Sequence, residues 1–124
     1  MTTLFTPDHE WVKAQDPVAA VVGITLHAQD ALGDVVFVEL PEVGRSYKKG
    51  EVAGVVESVK AAADLFMPAS GEVLAVNEEL RADPSLANTD PLGKGWFFTL
   101  RLADPAELAQ LMDSPAYDAL LKTL

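Results

Sequence analysis

The chain has 124 residues, a formal net charge of −10 and 49% hydrophobic residues, which fits one compact domain with a real core. It has no cysteine and only two histidines, so disulfide scaffolds, thiolate metal sites, cysteine nucleophiles and three-histidine zinc sites are excluded. The negative charge disfavours nucleic acid as a partner, because its phosphates would be repelled. The same negative charge is explained by solubility, and it is also compatible with docking onto basic patches of larger proteins.

Five short apolar runs, rich in β-branched residues, predict β-strands through most of the chain. In chain order they cover residues 18–24, 34–40, 52–59, 72–76 and 96–102. Glycine-containing turn signals separate them, at residues 42–44, 49–50, 69–71 and 93–95. Many short strands with frequent turns predict a small barrel or sandwich.

Three helices are predicted from capping residues and apolar spacing. The first covers residues 25–32, between an N-cap threonine and a C-terminal glycine. The second follows Asp104 as N-cap, with a proline in the first helical position and Glu107 completing a capping box. The third begins at Ser114, and the apolar side chains of both C-terminal helices are expected to pack on the core.

The organisation of the chain predicts one domain over residues 1–124, since no linker or low-complexity segment interrupts it. We expect its β core at about residues 18–102 and a helical segment at about residues 104–124. No apolar run approaches the roughly 18 residues that a membrane span needs. The first residues lack the pattern of a signal or transit peptide. We therefore expect an intracellular protein, in the bacterial cytoplasm, or in the mitochondrial matrix only if a transit peptide has been removed. We also expect a monomer.

The segment 57–64, with the sequence ESVKAAAD, is the most informative part of the chain. It lies between a valine-rich run and the short apolar piece 65–67, so a chain that reverses there would present Lys60 at a hairpin tip. Pro68 and Gly71 follow the lysine at a spacing that resembles lipoyl and biotinyl carrier domains, in which one lysine at a β-turn is modified. A modifying enzyme must reach the ammonium group, so the lysine must project from an open turn held by rigid strands.

Six stretches of the chain resemble the glycine cleavage H-protein family, in the order of that family. They are FTPDHEWV at 5–12, VGIT at 22–25, AQDALGDVVFVELP at 28–41, VVESVKA at 55–61, PASGEV at 68–73 and NTDPLGKGW at 88–96. The resemblance implies a mainly β fold, a barrel-sandwich hybrid of two small antiparallel sheets with a short helix near 25–32 and C-terminal helices. Two positions depart from the family, since Ala63 stands where Ser or Thr is frequent and Ala31 stands where some members carry histidine.

The resemblance also implies a non-catalytic lipoyl carrier, with lipoic acid joined by an amide to Lys60. In the family, the lipoyl arm accepts an aminomethyl group from glycine at the P-protein, a pyridoxal-phosphate decarboxylase. The T-protein passes the one-carbon unit to tetrahydrofolate, and the flavoprotein L-protein reoxidises the dithiol. A lipoate ligase, or an octanoyl transferase with lipoyl synthase, would attach the group. The cofactor supplies the chemistry and the protein supplies its position.

Two groups of site residues follow from the resemblance. The lipoyl turn around Lys60 comprises Glu57, Ser58, Val59, Ala61 and Asp64. The family also places an acidic residue in the cleft that shelters the loaded arm from water, and this residue corresponds to Glu10, with Asp8 beside it. Its carboxylate would pair with the ammonium of the loaded arm, and Asp64 is a second candidate along the arm's path. We expect His9 to hydrogen-bond locally and pin the N-terminal segment, and Trp11 to lie in the core.

Other readings of the same lysine remain open. An H-like protein could relay octanoyl or lipoyl groups to other lipoyl-dependent enzymes. A biotin carrier is disfavoured, because biotin acceptors typically have methionine on both sides of the lysine, and here Val59 and Ala61 flank it. A Ser58–Lys60 nucleophile pair would need a cleft and an oxyanion hole, which a hairpin tip does not offer. A purely structural interaction module would carry no modification on Lys60.

Overall fold

The computed structural model describes residues 3–16 and 18–124, with only the backbone described at residue 16, so the first two residues and residue 17 of the expected domain lie outside it. Nine strands occur in the described residues: β1 Thr3–Phe5, β2 Glu10–Asp16, β3 Ala19–Ile24, β4 Val35–Glu39, β5 Ser46–Tyr47, β6 Val52–Ser58, β7 Ala62–Phe66, β8 Gly71–Val76 and β9 Phe98–Leu102. The helices there are α1 Leu26–Leu32, α2 Glu78–Ala82, α3 Leu86–Thr89, a 3₁₀ helix Pro105–Gln110 and α4 Ser114–Leu121. Within the described part of the chain, no helix is both long and apolar enough to cross a bilayer.

The strands form two antiparallel sheets, which confirms the predicted hybrid fold. One sheet has six strands in the order β1-β2-β3-β9-β8-β5, and the other has three in the order β4-β6-β7. Their inner faces share one apolar core, to which Val22, Val73 and Leu100 contribute from the larger sheet. Val38 and Val56 contribute from the smaller sheet. Each such side chain stabilises the fold by about 1.5–3 kcal/mol when it is fully buried.

All five predicted strands occur in the structure, as β3, β4, β6, β8 and β9, with bounds that differ by one or two residues. Strands β1, β2, β5 and β7 are not predicted by any apolar run in the sequence. Two of these, β1 and β2, form one edge of the larger sheet, and β7 is the second strand of the hairpin that carries Lys60.

Helix α1 agrees with its predicted caps. The hydroxyl of Thr25 accepts a hydrogen bond from the N–H of Ala28 at 3.2 Å, and Gly33 ends the helix. The capping box predicted for the next helix is wrong. Asp104 does cap, by accepting from the N–H of Ala106, but Glu107 instead accepts from the backbone N–H and the hydroxyl of Ser70. That segment is a 3₁₀ helix fastened to the β core by a tertiary contact.

Candidate functional site

Lys60 lies at the end of the β6–β7 hairpin. The backbone N–H of Ser58 donates to the carbonyl of Ala61 at 2.8 Å, so only Val59 and Lys60 form the loop. The Ser58 hydroxyl oxygen accepts from the backbone N–H groups of Ala61 at 3.0 Å and Lys60 at 3.3 Å. Serine bonds of this kind favour one turn conformation. The lysine tip, residues 58–61, is therefore ordered by the serine that precedes the lysine.

The side chain of Lys60 is exposed, and its stem lies beside Gly33. A Cβ atom added to Gly33 would stand 3.3 Å from Cε of Lys60. Gly33 has φ 76° and ψ −155°, a conformation that essentially only glycine adopts. The next residue, Asp34, accepts a hydrogen bond from the N–H of Val59 through its backbone carbonyl at 3.0 Å. The segment that joins α1 to β4 thus supports the tip.

Glu10, the acidic residue expected in a cleft sheltered from water, is buried, with 2% of its surface exposed. One carboxylate oxygen accepts from the hydroxyl of Thr6 at 3.0 Å, and the other accepts from the backbone N–H of Phe66 at 2.9 Å. Burial raises the pKa of Glu10 from 4.5 to about 7; the hydrogen bonds from Phe66 and Thr6 oppose that rise, and nearby Asp8 adds to it. The carboxyl group can therefore take up or release a proton near neutral pH.

Strand β7 connects the region of Glu10 to the lysine tip. Glu10 bonds the backbone of Phe66 at one end of the strand, and Lys60 lies just beyond the other end. The strand rises about 13 Å from Ala62 to Phe66 at about 3.3 Å per residue. Asp64 lies between them and is exposed, paired in register with Val55 of β6. Asp64 therefore lies on the strand that runs from the lysine tip toward Glu10, whereas Glu10 itself belongs to β2 and Asp8 to the turn before it.

The outer face of the smaller sheet is acidic and partly apolar. The strand pairing places Phe37 and Glu57 side by side in one row and Glu39 and Asp64 at either side of Val55 in the next. No lysine or arginine occurs in the three strands of this sheet. An irregularity in β4 between residues 35 and 37 turns Val36 and Phe37 outward together, against the usual alternation. Lys60 thus projects beside exposed apolar groups and carboxylates.

His9 and Tyr117 fasten the N-terminal segment to α4. His9 has φ 67°, and its Nδ1 lies 2.8 Å from the hydroxyl of Tyr117, which is also 2.8 Å from the hydroxyl of Thr25. The ring of Phe5 stacks on Tyr117 with a centroid distance of 4.6 Å. Burial and the neighbouring His27 lower the pKa of His9, and Asp8 opposes that shift. His9 therefore pins the N-terminal segment as predicted, but through a distant residue in the sequence.

Trp11 lies in the core, as predicted, with 3% of its surface exposed, and its indole N–H donates to the carbonyl of Pro91 at 3.0 Å. It also lines a mostly apolar cavity of about 430 Å³ with Phe5, Leu26 and Tyr117. Successive side chains of a strand point to opposite faces, so this cavity lies across β2 from the carboxylate of Glu10. Among the described residues, no cluster of three or more His, Cys, Asp or Glu side chains could hold a metal ion.

The sequence did not reveal which residues support the lysine tip from outside it, namely Gly33 and Asp34, or which residues contact Glu10, namely Thr6 and Phe66. A signal existed for Gly33, Asp34 and Thr6, because all three lie in stretches that resemble the family. No signal marked Phe66 as a partner of a carboxylate, since its proximity to Glu10 depends on how the two sheets pack together.

The chain matches the family model described as Glycine cleavage H-protein over residues 3–124. It is 57% identical over 118 residues to the glycine cleavage system H protein of Bradyrhizobium diazoefficiens, covering 95% of this chain and 96% of that protein. It is 56% identical over 120 residues to the H protein of Rhodospirillum rubrum, covering 97% and 95%. A crystal structure of an H protein from Mycobacterium marinum superposes with a TM-score of 0.88 at 38% identity, covering 99% of this chain and 98% of that one.

Proposed function

Because the chain belongs to the glycine cleavage H-protein family, we propose that it is a lipoyl carrier whose cofactor is joined by an amide to Nζ of Lys60. The observation that carries the proposal is the placement of Lys60 at an exposed two-residue hairpin tip. Amide attachment needs a primary amine that an enzyme can enclose on a rigid support. The bonds of Ser58 and the contact with Gly33 supply that support, so the residues present fit a lipoyl group.

The chain's own role is to position the cofactor rather than to catalyse. When bound, the lipoyl group would supply a cyclic disulfide whose S–S bond opens to take up an aminomethyl group at the P-protein, and the dithiol left after transfer at the T-protein would be reoxidised at the L-protein. The hairpin presents the modified lysine to each enzyme in turn, and tethering raises the local concentration of the arm at each docked active site. We place this work in the bacterial cytoplasm, since the relatives described above are bacterial. A lipoate ligase or an octanoyl transferase with lipoyl synthase would modify Lys60.

Glu10 would hold the charged end of the loaded arm. An ammonium group that reaches this carboxylate would use its remaining acceptor sites, since each oxygen accepts one hydrogen bond, from Thr6 or from Phe66, and an ionised carboxylate has about four such sites. The pKa of about 7 matches this role, because an incoming positive charge favours the ionised carboxylate. Burial of the pair would also keep water from the labile end of the arm. Asp8 and Asp64, both exposed, would contribute charge along the path.

The test is an intact mass and a peptide map of the full chain, isolated from its own cells. We expect a lipoyl-sized addition on Lys60 and none on the Lys60→Arg variant, which keeps the positive charge but lacks the primary amine. The loaded wild-type chain should then support glycine decarboxylation by the P-protein. An octanoyl addition as the main species would favour the relay function instead. An unmodified Lys60, in cells whose other lipoyl proteins are loaded, would refute the proposal.

A further inference from the structure

Asn88 lies in one of the family-like stretches, yet neither the lysine tip nor the Glu10 region accounts for it. Its side chain forms three hydrogen bonds. Oδ1 accepts from the backbone N–H of Val35 at 2.8 Å, and Nδ2 donates to the carbonyl of Gly33 at 2.7 Å and to Oε1 of Gln29 at 3.1 Å. The orientation of the amide is forced, because a backbone N–H can only donate and a carbonyl can only accept. Asn88 thus forms hydrogen bonds with the backbone at both ends of the segment 33–35.

The segment 33–35 is the same one that supports the lysine tip. Gly33 lies beside the stem of Lys60, and the carbonyl of Asp34 accepts from the N–H of Val59. A short chain of contacts therefore leads from the amide of Asn88, through residues 33–35, to the lysine. Gly33 alone would not hold this geometry, because glycine has the largest conformational freedom in the unfolded chain. The two bonds of Asn88 on either side of Asp34 restrict it.

We propose that Asn88 is a positioning residue for the acylation of Lys60, because it fixes the segment 33–35 on which the lysine tip rests. The inference rests on the proposed function, since it takes Lys60 as the residue that is acylated. Asn88 touches neither the incoming acyl group nor Nζ. It acts by restricting the directions in which the tip presents its amine, and small errors of placement are costly when an enzyme must align two reacting groups.

Asn88→Asp is the sharpest test, because the carboxylate keeps the acceptor for Val35 but cannot donate to Gly33. Asn77→Asp is the matched control. The amide of Asn77 donates two hydrogen bonds, to the carbonyls of Lys94 and Trp96 at 2.7 and 2.8 Å, and these bonds involve neither residues 33–35 nor the lysine tip. The two variants share the same substitution, the same change of charge and a similar loss of hydrogen bonds.

The assay is lipoylation of the full-length unmodified chain by a lipoate–protein ligase with lipoate and ATP, with rates corrected for the folded fraction from unfolding curves. We expect kcat/KM for Asn88→Asp to fall about tenfold, and that for Asn77→Asp to stay within about twofold of wild type. Hydrogen exchange at the Val59 amide, which bonds Asp34, should accelerate only in Asn88→Asp. Equal rates for the two variants, or unchanged exchange at Val59, would overturn the inference.

Gly33→Ala perturbs the same segment in a second way, because it strains the backbone and brings a Cβ toward Lys60. If both substitutions act through residues 33–35, the double variant should be lipoylated about as slowly as the slower single variant. Losses that multiply would instead mean independent effects and would contradict the inference. A wild-type chain that accepts no lipoyl group under these conditions would overturn the proposed function, and this inference with it.

Discussion

The buried carboxyl group of Glu10 predicts a specific dependence of stability on pH. Burial raises its pKa from 4.5 to about 7 in the folded chain, so the folded state holds a proton at pH values where the unfolded chain has lost it. The stability that this group contributes is complete below pH 4.5 and is lost as pH rises through 7. The full difference between a pKa of 4.5 and one of about 7 corresponds to about 3–4 kcal/mol, at about 1.4 kcal/mol per pH unit.

Glu10→Gln should remove this dependence. Between pH 5 and 8, ionisation of Glu10 should lower the unfolding free energy of wild type by about 2–3 kcal/mol more than that of the variant. The pKa of His9 is lowered by burial and by His27, so His9 shifts stability in the opposite direction, toward greater stability as pH rises. Because His9 is present in both proteins, its effect cancels in the comparison.

The measurement is urea unfolding of wild type and Glu10→Gln at pH 5 and pH 8, with slopes compared to confirm two-state behaviour. Glu79→Gln is the control, because Glu79 is exposed on α2 and its charge stays in water. It should follow wild type at both pH values. If wild type and Glu10→Gln lose the same free energy between pH 5 and 8, the carboxyl group is not the buried proton acceptor that its contacts indicate.

Two further predictions concern the hydroxyl of Tyr117 on α4 and the exposed ring of Phe37 on β4. Tyr117→Phe removes the hydroxyl shared by His9 and Thr25, so we expect a loss of about 1–3 kcal/mol in unfolding free energy, measured by denaturant unfolding, with the rate of lipoylation unchanged. A loss of unfolding free energy below about 0.5 kcal/mol would show that these hydrogen bonds do not stabilise the packing of α4. Phe37→Ser should raise the KM for lipoylation without changing kcat or stability, because Phe37 is exposed beside the lysine tip and available to an enzyme that encloses it. Val43→Ser is its control, because Val43 is an exposed apolar residue outside this sheet, and equal KM values for the two variants would contradict the prediction.

Local sequence patterns were sufficient to predict much of the fold. The segments that form β4, β6 and β8 are rich in β-branched residues and are bounded by glycine or proline. They can therefore be predicted as strands without knowledge of their partners. Strands β2 and β7 lack such a pattern, since EWVKAQD and AADLF are mixed or alanine-rich. Each is a strand because it pairs with the adjacent strand of a hairpin, β2 with β3 and β7 with β6, so its strand character depends on its partner more than on its own composition. The expectation of a single domain stays a prediction.

The C-terminal segment shows how a correct local signal can lead to a wrong contact. Asp104 and Glu107 have the spacing of a capping box, and Asp104 does cap. The carboxylate of Glu107 instead accepts two hydrogen bonds from Ser70, which lies in the turn before β8. That contact competes with the local bond, and no spacing within the segment could reveal it, because its partner is set by the packing of the 3₁₀ helix on the larger sheet.

The sequence by itself determined the candidate lysine, because its signals are local: a turn between two strand-like runs, with Pro68 and Gly71 at the spacing of a carrier domain, inside stretches that resemble the family. It also located the candidate acids, since Glu10 and Asp8 lie in a family-like stretch and Asp64 closely follows the lysine. Only the tertiary structure decided that Glu10 is buried against Phe66, with its pKa raised to about 7. It also decided that Asn88 forms hydrogen bonds with the segment 33–35, which supports Lys60. Burial, desolvation and side-chain bonds to distant backbone depend on which strands and loops meet, and that is settled only when the two sheets pack together.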